Sequence, residues 1–96
     1  MDTISQIKSK ISPAKNRFVE KYHLKNIAIF GSYARDEQNE SSDIDILVEF
    51  SEPVGEEFID LANELEFMLK IKVDLVSKNG IKDKYYKVIK NDLSYV

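Results

Sequence analysis

IFGSYARDEQNESSDIDILVEF, residues 29–50, joins an apolar run, a Gly-Ser pair, an arginine, a polar stretch and two aspartates that interrupt a second apolar run. A carboxylate buried without a partner is costly, so Asp43 and Asp45 inside DIDILVEF call for a cation, a shared proton or solvent. Two apart in a strand, they share one face about 6.5–7 Å apart along the backbone, and their carboxylates can converge. At ~4 Å, like charges repel by about 4 kcal/mol at an effective dielectric of 20, so such a pair shares a proton or holds a cation. With oxygen ligands alone, and neither His nor Cys nearby, that cation is Mg²⁺ or Mn²⁺ rather than zinc. Asp-x-Asp by itself also occurs at exposed strand starts.

Asp74 strengthens the pattern. It stands between Val73 and Leu75 in IKVDLVS, residues 71–77, a further strand interrupted by a carboxylate. If that strand lies beside residues 43–50, three carboxylates gather at one edge of the sheet. The alternative for Asp74 is a salt bridge to Lys70 or Lys72. Gly31-Ser32 follows NIAIF, residues 26–30, and opens a short helical segment, SYARDE. Glycine permits close approach to the backbone, and N–H groups at a helix start suit phosphate oxygens together with the Ser32 hydroxyl. Arg35, one turn on, places a guanidinium fork within reach of the same phosphates.

The rest of the chain supplies a scaffold. Ile4, Ile7 and Ile11 recur at helical spacing, and Ser12-Pro13 reads as an N-cap and first-turn proline opening a second helix with Phe18, Val19 and Tyr22 on its apolar side. Ile46-Leu47-Val48 implies a strand buried on both faces. Phe58, Leu61, Ala62, Leu65, Met68 and Leu69 form the stripe of an amphipathic helix. Asn79-Gly80 turns the chain, and Ile81, Tyr85 and Val88 mark a final helix. The order helix, helix, strand, strand, helix, strand, helix predicts an α+β fold, a small mixed sheet flanked by helices, in a single domain over residues 1–96. His23 reads as a surface or capping residue and Tyr33 as core packing beside the loop, while Tyr85, Tyr86 and Tyr95 are candidates for a partner surface.

With 96 residues, 43% hydrophobic and 32% charged, the chain has the composition of an ordinary folded domain. Without cysteine it has no disulfide, thiolate site or cysteine nucleophile. No signal-peptide core or membrane span is evident, which predicts a soluble cytoplasmic protein. A net charge of −3 argues against direct nucleic-acid binding. From Asp36 to Leu69 there is no Lys or Arg, and from Lys70 to Lys90 lysine dominates. That asymmetry is either two solvated faces or an acidic surface for a basic partner.

Taken together, GSYAR, SDIDILV and VDLV resemble the minimal nucleotidyltransferase family, the small branch of the polymerase beta-like superfamily, over nearly the whole chain. The resemblance implies a nucleotidyltransferase fold that binds ATP or another nucleoside triphosphate with Mg²⁺, two ions being expected and Mn²⁺ an alternative. It assigns the triphosphate to Gly31 and Ser32, the metals to Asp43 and Asp45, and completion of the catalytic triad to Asp74. Asp36 stands where the family commonly has glycine after the motif arginine, and aspartate tolerates the left-handed backbone that a glycine there would serve. Small members pair with a helical HEPN-type ribonuclease as antitoxin, in a type VII-like arrangement. The implied reaction is AMP transfer to a tyrosine of that toxin, in a hetero-oligomer. Two other readings stay open: a non-catalytic module that masks the toxin, and the catalytic subunit or substrate-binding domain of another transferase.

Overall fold

The computed structural model describes residues 2–96. A capping box starts the chain. Thr3 Oγ1 accepts from Gln6 N while Gln6 Oε1 accepts from Thr3 N, satisfying N–H groups that a helix start leaves open. Helix α1 (Ile4–Ile11) then runs through a 3-10 segment, Ser12–Ala14, into α2 (Lys15–Tyr22). Ser12 is therefore not the expected N-cap. Its backbone is already helical, it makes no side-chain cap, and Pro13 removes one N–H and tightens the run instead of opening a new helix. His23 ends α2 in the left-handed region at φ 59°, the capping role expected of it.

Strand β1 (Leu24–Phe30) begins earlier than its apolar core suggests. It pairs antiparallel with β2 (Ile44–Phe50), and β2 pairs parallel with β3 (Val73–Ser77) across α3 (Glu56–Leu69). A parallel neighbour needs such a crossover, and the apolar stripe of α3 supplies one that packs on the sheet. After β3 come α4 (Asp83–Ile89), a 3-10 turn at Lys90–Asp92, and β4 (Ser94–Tyr95). Strand β4 adds to the free edge of β1, giving the order β3-β2-β1-β4. Two residues long, it carries too little pattern to be read from sequence, where 94–95 look like a tail.

Two cores follow from the alternation of β2. Ile44, Ile46 and Val48 are buried on one face with Ile7, Ile11, Phe18, Leu61 and Leu65. Leu47 is buried on the other face with Phe30 and Ile89, with Val76, Tyr86 and Leu93 packed alongside. Burial on both faces of β2 is thus as expected, each such side chain contributing about 1.5–3 kcal/mol. Between α2 and α3, Glu64 gathers the Tyr22 hydroxyl at 2.6 Å, the Arg17 guanidinium and the Lys21 ammonium at 3.6 Å. Val19 is 44% exposed and Val88 71% exposed, so two apolar residues assigned by spacing to buried faces point outward.

Candidate active site

The sheet topology itself brings the carboxylates together. Because β1 runs antiparallel to β2, and β3 runs parallel to β2 on its far side, the end of β1 lies at the same edge as the starts of β2 and β3. Phe30 is in register with Asp45, and Asp45 with Asp74, neighbours about 4.8 Å apart across the ladder. Alternation then sets the face: Leu47 and Val76, each two residues on, lie in the core beneath α4, so Asp45 and Asp74 project on that same side. Asp43 is exposed and sits one residue before β2 begins, a small correction to its placement inside the strand. Asp74 is exposed as well, and Asp45 is half-buried. The three therefore stand at the mouth of the sheet, where solvent or a ligand can reach them. Among the described residues Asp74 has no ion pair with Lys70 or Lys72, and Lys70 Nζ lies 4.4 Å from the centre of the Phe67 ring instead.

Crowding shows in the acidity of Asp45. Burial, the charge of Asp74, a hydrogen bond with Asp74 and the charge of Asp43 together raise its pKa from 3.8 to about 6, against the opposing pull of Arg35. Its charged form is disfavoured and gains from any nearby cation. Gly31 closes the site from the β1 side. Its φ is 73°, and a Cβ there would stand 3.0 Å from Asp45 Cγ and collide with Oδ2. Only glycine meets both demands, so the Gly-Ser pair and the Asp-x-Asp pair are in direct contact.

Beyond Gly31 the chain makes one turn rather than the expected helix. Arg35 N donates to Gly31 O (3.1 Å), Asp36 N to Tyr33 O (3.4 Å) and Glu37 N to Ser32 O (2.8 Å). Left-handed residues bracket this turn, Gly31 before it and Asp36 (φ 57°) at its end. Asp36 thus occupies the backbone conformation anticipated for it. Tyr33, 3% exposed, anchors the turn in the core. Arg35 is half exposed, and its guanidinium is engaged by Glu37 (Nε to Oε1, 2.7 Å) and by Asp92 (Nη1 to Oδ2, 2.6 Å). Those hydrogen bonds, to Glu37 first and then Asp92, also raise the Arg35 pKa. Neither partner was evident from sequence: Glu37 is one acid in an acidic run, and Asp92 lies 57 positions away.

A divalent cation fits this donor set in one way only. Among the described residues no three His, Cys, Asp or Glu side chains form a ready-made cage. One or two carboxylates completed by substrate phosphates is, however, the arrangement Mg²⁺ favours over all-protein cages. A cavity of about 480 Å³ opens on the other face of the sheet edge; Lys10, Tyr33, Ile71 and Lys72 line it, and Asp43 alone of the three carboxylates borders it. Among the described residues no helix is long and apolar enough to cross a membrane.

This edge of paired carboxylates beneath a glycine turn defines a class. Residues 11–96 match the nucleotidyltransferase domain, and the chain belongs to that family of enzymes. A chain of Methanocaldococcus jannaschii that carries the provisional name protein adenylyltransferase is 55% identical over 98 residues, covering all of both chains. The protein adenylyltransferase MntA of Thermococcus cleftensis is 39% identical over 97 residues, spanning all of this chain and 98% of that one. In structure the chain resembles a toxin–antitoxin crystallised with AMP-PNP, with a TM-score of 0.77 and 27% identity over 92% of this chain and 70% of the other. The mixed sheet, the flanking helices and the family expected from sequence are all borne out.

Proposed function

We propose that the chain transfers AMP from ATP to a tyrosine of a partner protein, a HEPN-type ribonuclease toxin, and acts as its antitoxin in the cytoplasm. The observation that carries this reading is the register that sets Asp45 beside Asp74 and against Gly31. The names and assemblies of the relatives support it: protein adenylyltransferase MntA in one case, a toxin–antitoxin with AMP-PNP in the other. The HEPN character of the partner and the tyrosine acceptor rest on the family resemblance.

In this reading Ser32 and the N–H groups after Gly31 hold the triphosphate. The tyrosine oxygen bonds to the α-phosphorus as the bond from that phosphorus to the β-bridging oxygen breaks. Pyrophosphate departs from the Gly31-Ser32 turn. Asp74, exposed at the mouth, takes the phenolic proton. Asp43 and Asp45, with Asp74, would hold two Mg²⁺ ions, which when bound offset phosphate charge and lower the pKa of the attacking hydroxyl. In this reading the partner completes the site by enclosing the base and presenting the acceptor.

Incubating the chain and its partner with ATP labelled at the α-phosphate tests the proposal. Label should enter the partner and be lost with Asp43→Asn or Asp45→Asn. Neutralisation of the toxin with no label incorporated would establish the masking module in its place.

A further inference from the structure

We propose that Asp92 is a positioning residue: through Arg35 it clasps the 31–37 turn to the C-terminal segment and so fixes where Ser32 stands. Arg35 is held from two sides. Glu37, two residues along the same turn, takes Nε, and Asp92, from beyond α4, takes Nη1. The turn's own backbone hydrogen bonds, from Arg35 N to Gly31 O, Asp36 N to Tyr33 O and Glu37 N to Ser32 O, are all internal to it. Tyr33 secures its inner side, and the Arg35–Asp92 pair ties its outer side to the rest of the fold.

Asp92 can serve as a fixed post because its surroundings are anchored independently. Its neighbour Leu93 packs on the Phe30, Leu47 and Ile89 core. Ser94 and Tyr95 pair with Ile29 and Ala28, the strand that leads directly into Gly31. Val96 N donates to Ile27 O (3.0 Å), and Lys15 Nζ donates to Val96 O (2.8 Å). A lone exposed ion pair contributes little, but a planar guanidinium gripped at two edges has its orientation set. The opposite assignment makes Arg35 a free phosphate ligand and Asp92 a competitor for it. Two carboxylates on one guanidinium already offset its charge, which favours the clasp.

The clasp stands on this geometry alone; its consequence for nucleotide binding rests on the proposed function. Amide hydrogen exchange in the nucleotide-free full-length chain tests the first part, and AMP-PNP titration tests the second. Asp92→Asn should speed exchange at the Arg35 and Glu37 amides about tenfold, leave β1 and β2 unchanged, and weaken AMP-PNP binding about tenfold. Asp92→Glu should restore part of both. Unchanged exchange in the turn, or an equal rise throughout the sheet, would overturn the clasp. Faster exchange combined with tighter AMP-PNP binding would overturn the positioning role and make Asp92 a competitor of phosphate. A parent chain that fails to bind AMP-PNP would refute the proposed function, while the exchange result would still decide the clasp.

Discussion

Asp45 carries a stability penalty whose size and pH dependence follow from its surroundings. Its pKa rises from 3.8 to about 6 on folding, chiefly through burial and then through Asp74 and Asp43. Taken whole, that rise corresponds to about 3 kcal/mol against the ionised form. Asp45 is only half-buried and both its neighbours are exposed, so solvent screening reduces the figure to about 1–2 kcal/mol. The sign follows from proton linkage. Between pH 4 and 6 the folded state binds more protons than the unfolded one, so acidification through that window stabilises the protein, and the penalty is complete above pH 6. Asp45→Asn removes the charge at nearly constant shape and can donate to Asp74. The variant should melt at least about 4 °C above the parent at pH 7.5 without divalent cations, and the gap should close as pH falls from 6 toward 4. Thermal unfolding across that range is the assay. A variant no more stable than the parent at pH 7.5, or a gap that persists unchanged at pH 4, would refute the crowding of these carboxylates.

Gly31→Ala should destabilise the fold by about 1–2 kcal/mol from its left-handed backbone alone, and it should also abolish AMP transfer by displacing Asp45; a variant matching the parent in both melting and transfer would sink the assignment. Tyr22→Phe removes the hydroxyl that Glu64 accepts at 2.6 Å, and because Arg17 and Lys21 remain on that carboxylate the loss should be about 1 kcal/mol in urea unfolding with an unchanged m-value. Glu56 and Asp60 are exposed on α3, so reversing both to lysine should slow association with a basic partner, as should added salt, without altering AMP-PNP binding. An association rate indifferent to both changes would leave the acidic run a solvated face.

That run is also less uniform in three dimensions than in sequence. Glu49 faces Lys25 and Lys78, Glu64 is taken by α2, and Glu66 Oε2 accepts from Val73 N at the start of β3. Charge blocks report composition, whereas the fold decides which members remain available. Helix boundaries erred for a similar reason. Ser12-Pro13 carries the local signal of a helix start, yet the backbone continues from α1 in helical geometry and leaves the N-cap position with nothing to cap. Val19 and Val88 meet the helical period but lie on faces for which the small sheet has no opposing layer.

The carboxylate edge was legible because it violates the strand pattern. A strand that buries Ile44, Ile46 and Val48 on one face and Leu47 on the other has no packing use for Asp45, and the same holds for Asp74 between Val73 and Leu75. Such breaks in consistency mark functional positions. The contact of Asp45 with Gly31 follows once β1 is placed antiparallel beside β2, since the glycine that ends one strand then lies at the start of the other. Asp92 offered no comparable break. It is an ordinary acid in a polar C-terminal stretch, and only the pairing of β4 with β1 carries it to Arg35. Sequence therefore exposes the residues that contradict the local pattern of their own element. A residue that fits its surroundings, and acts through a partner brought near by topology, becomes visible only when the strands are assembled.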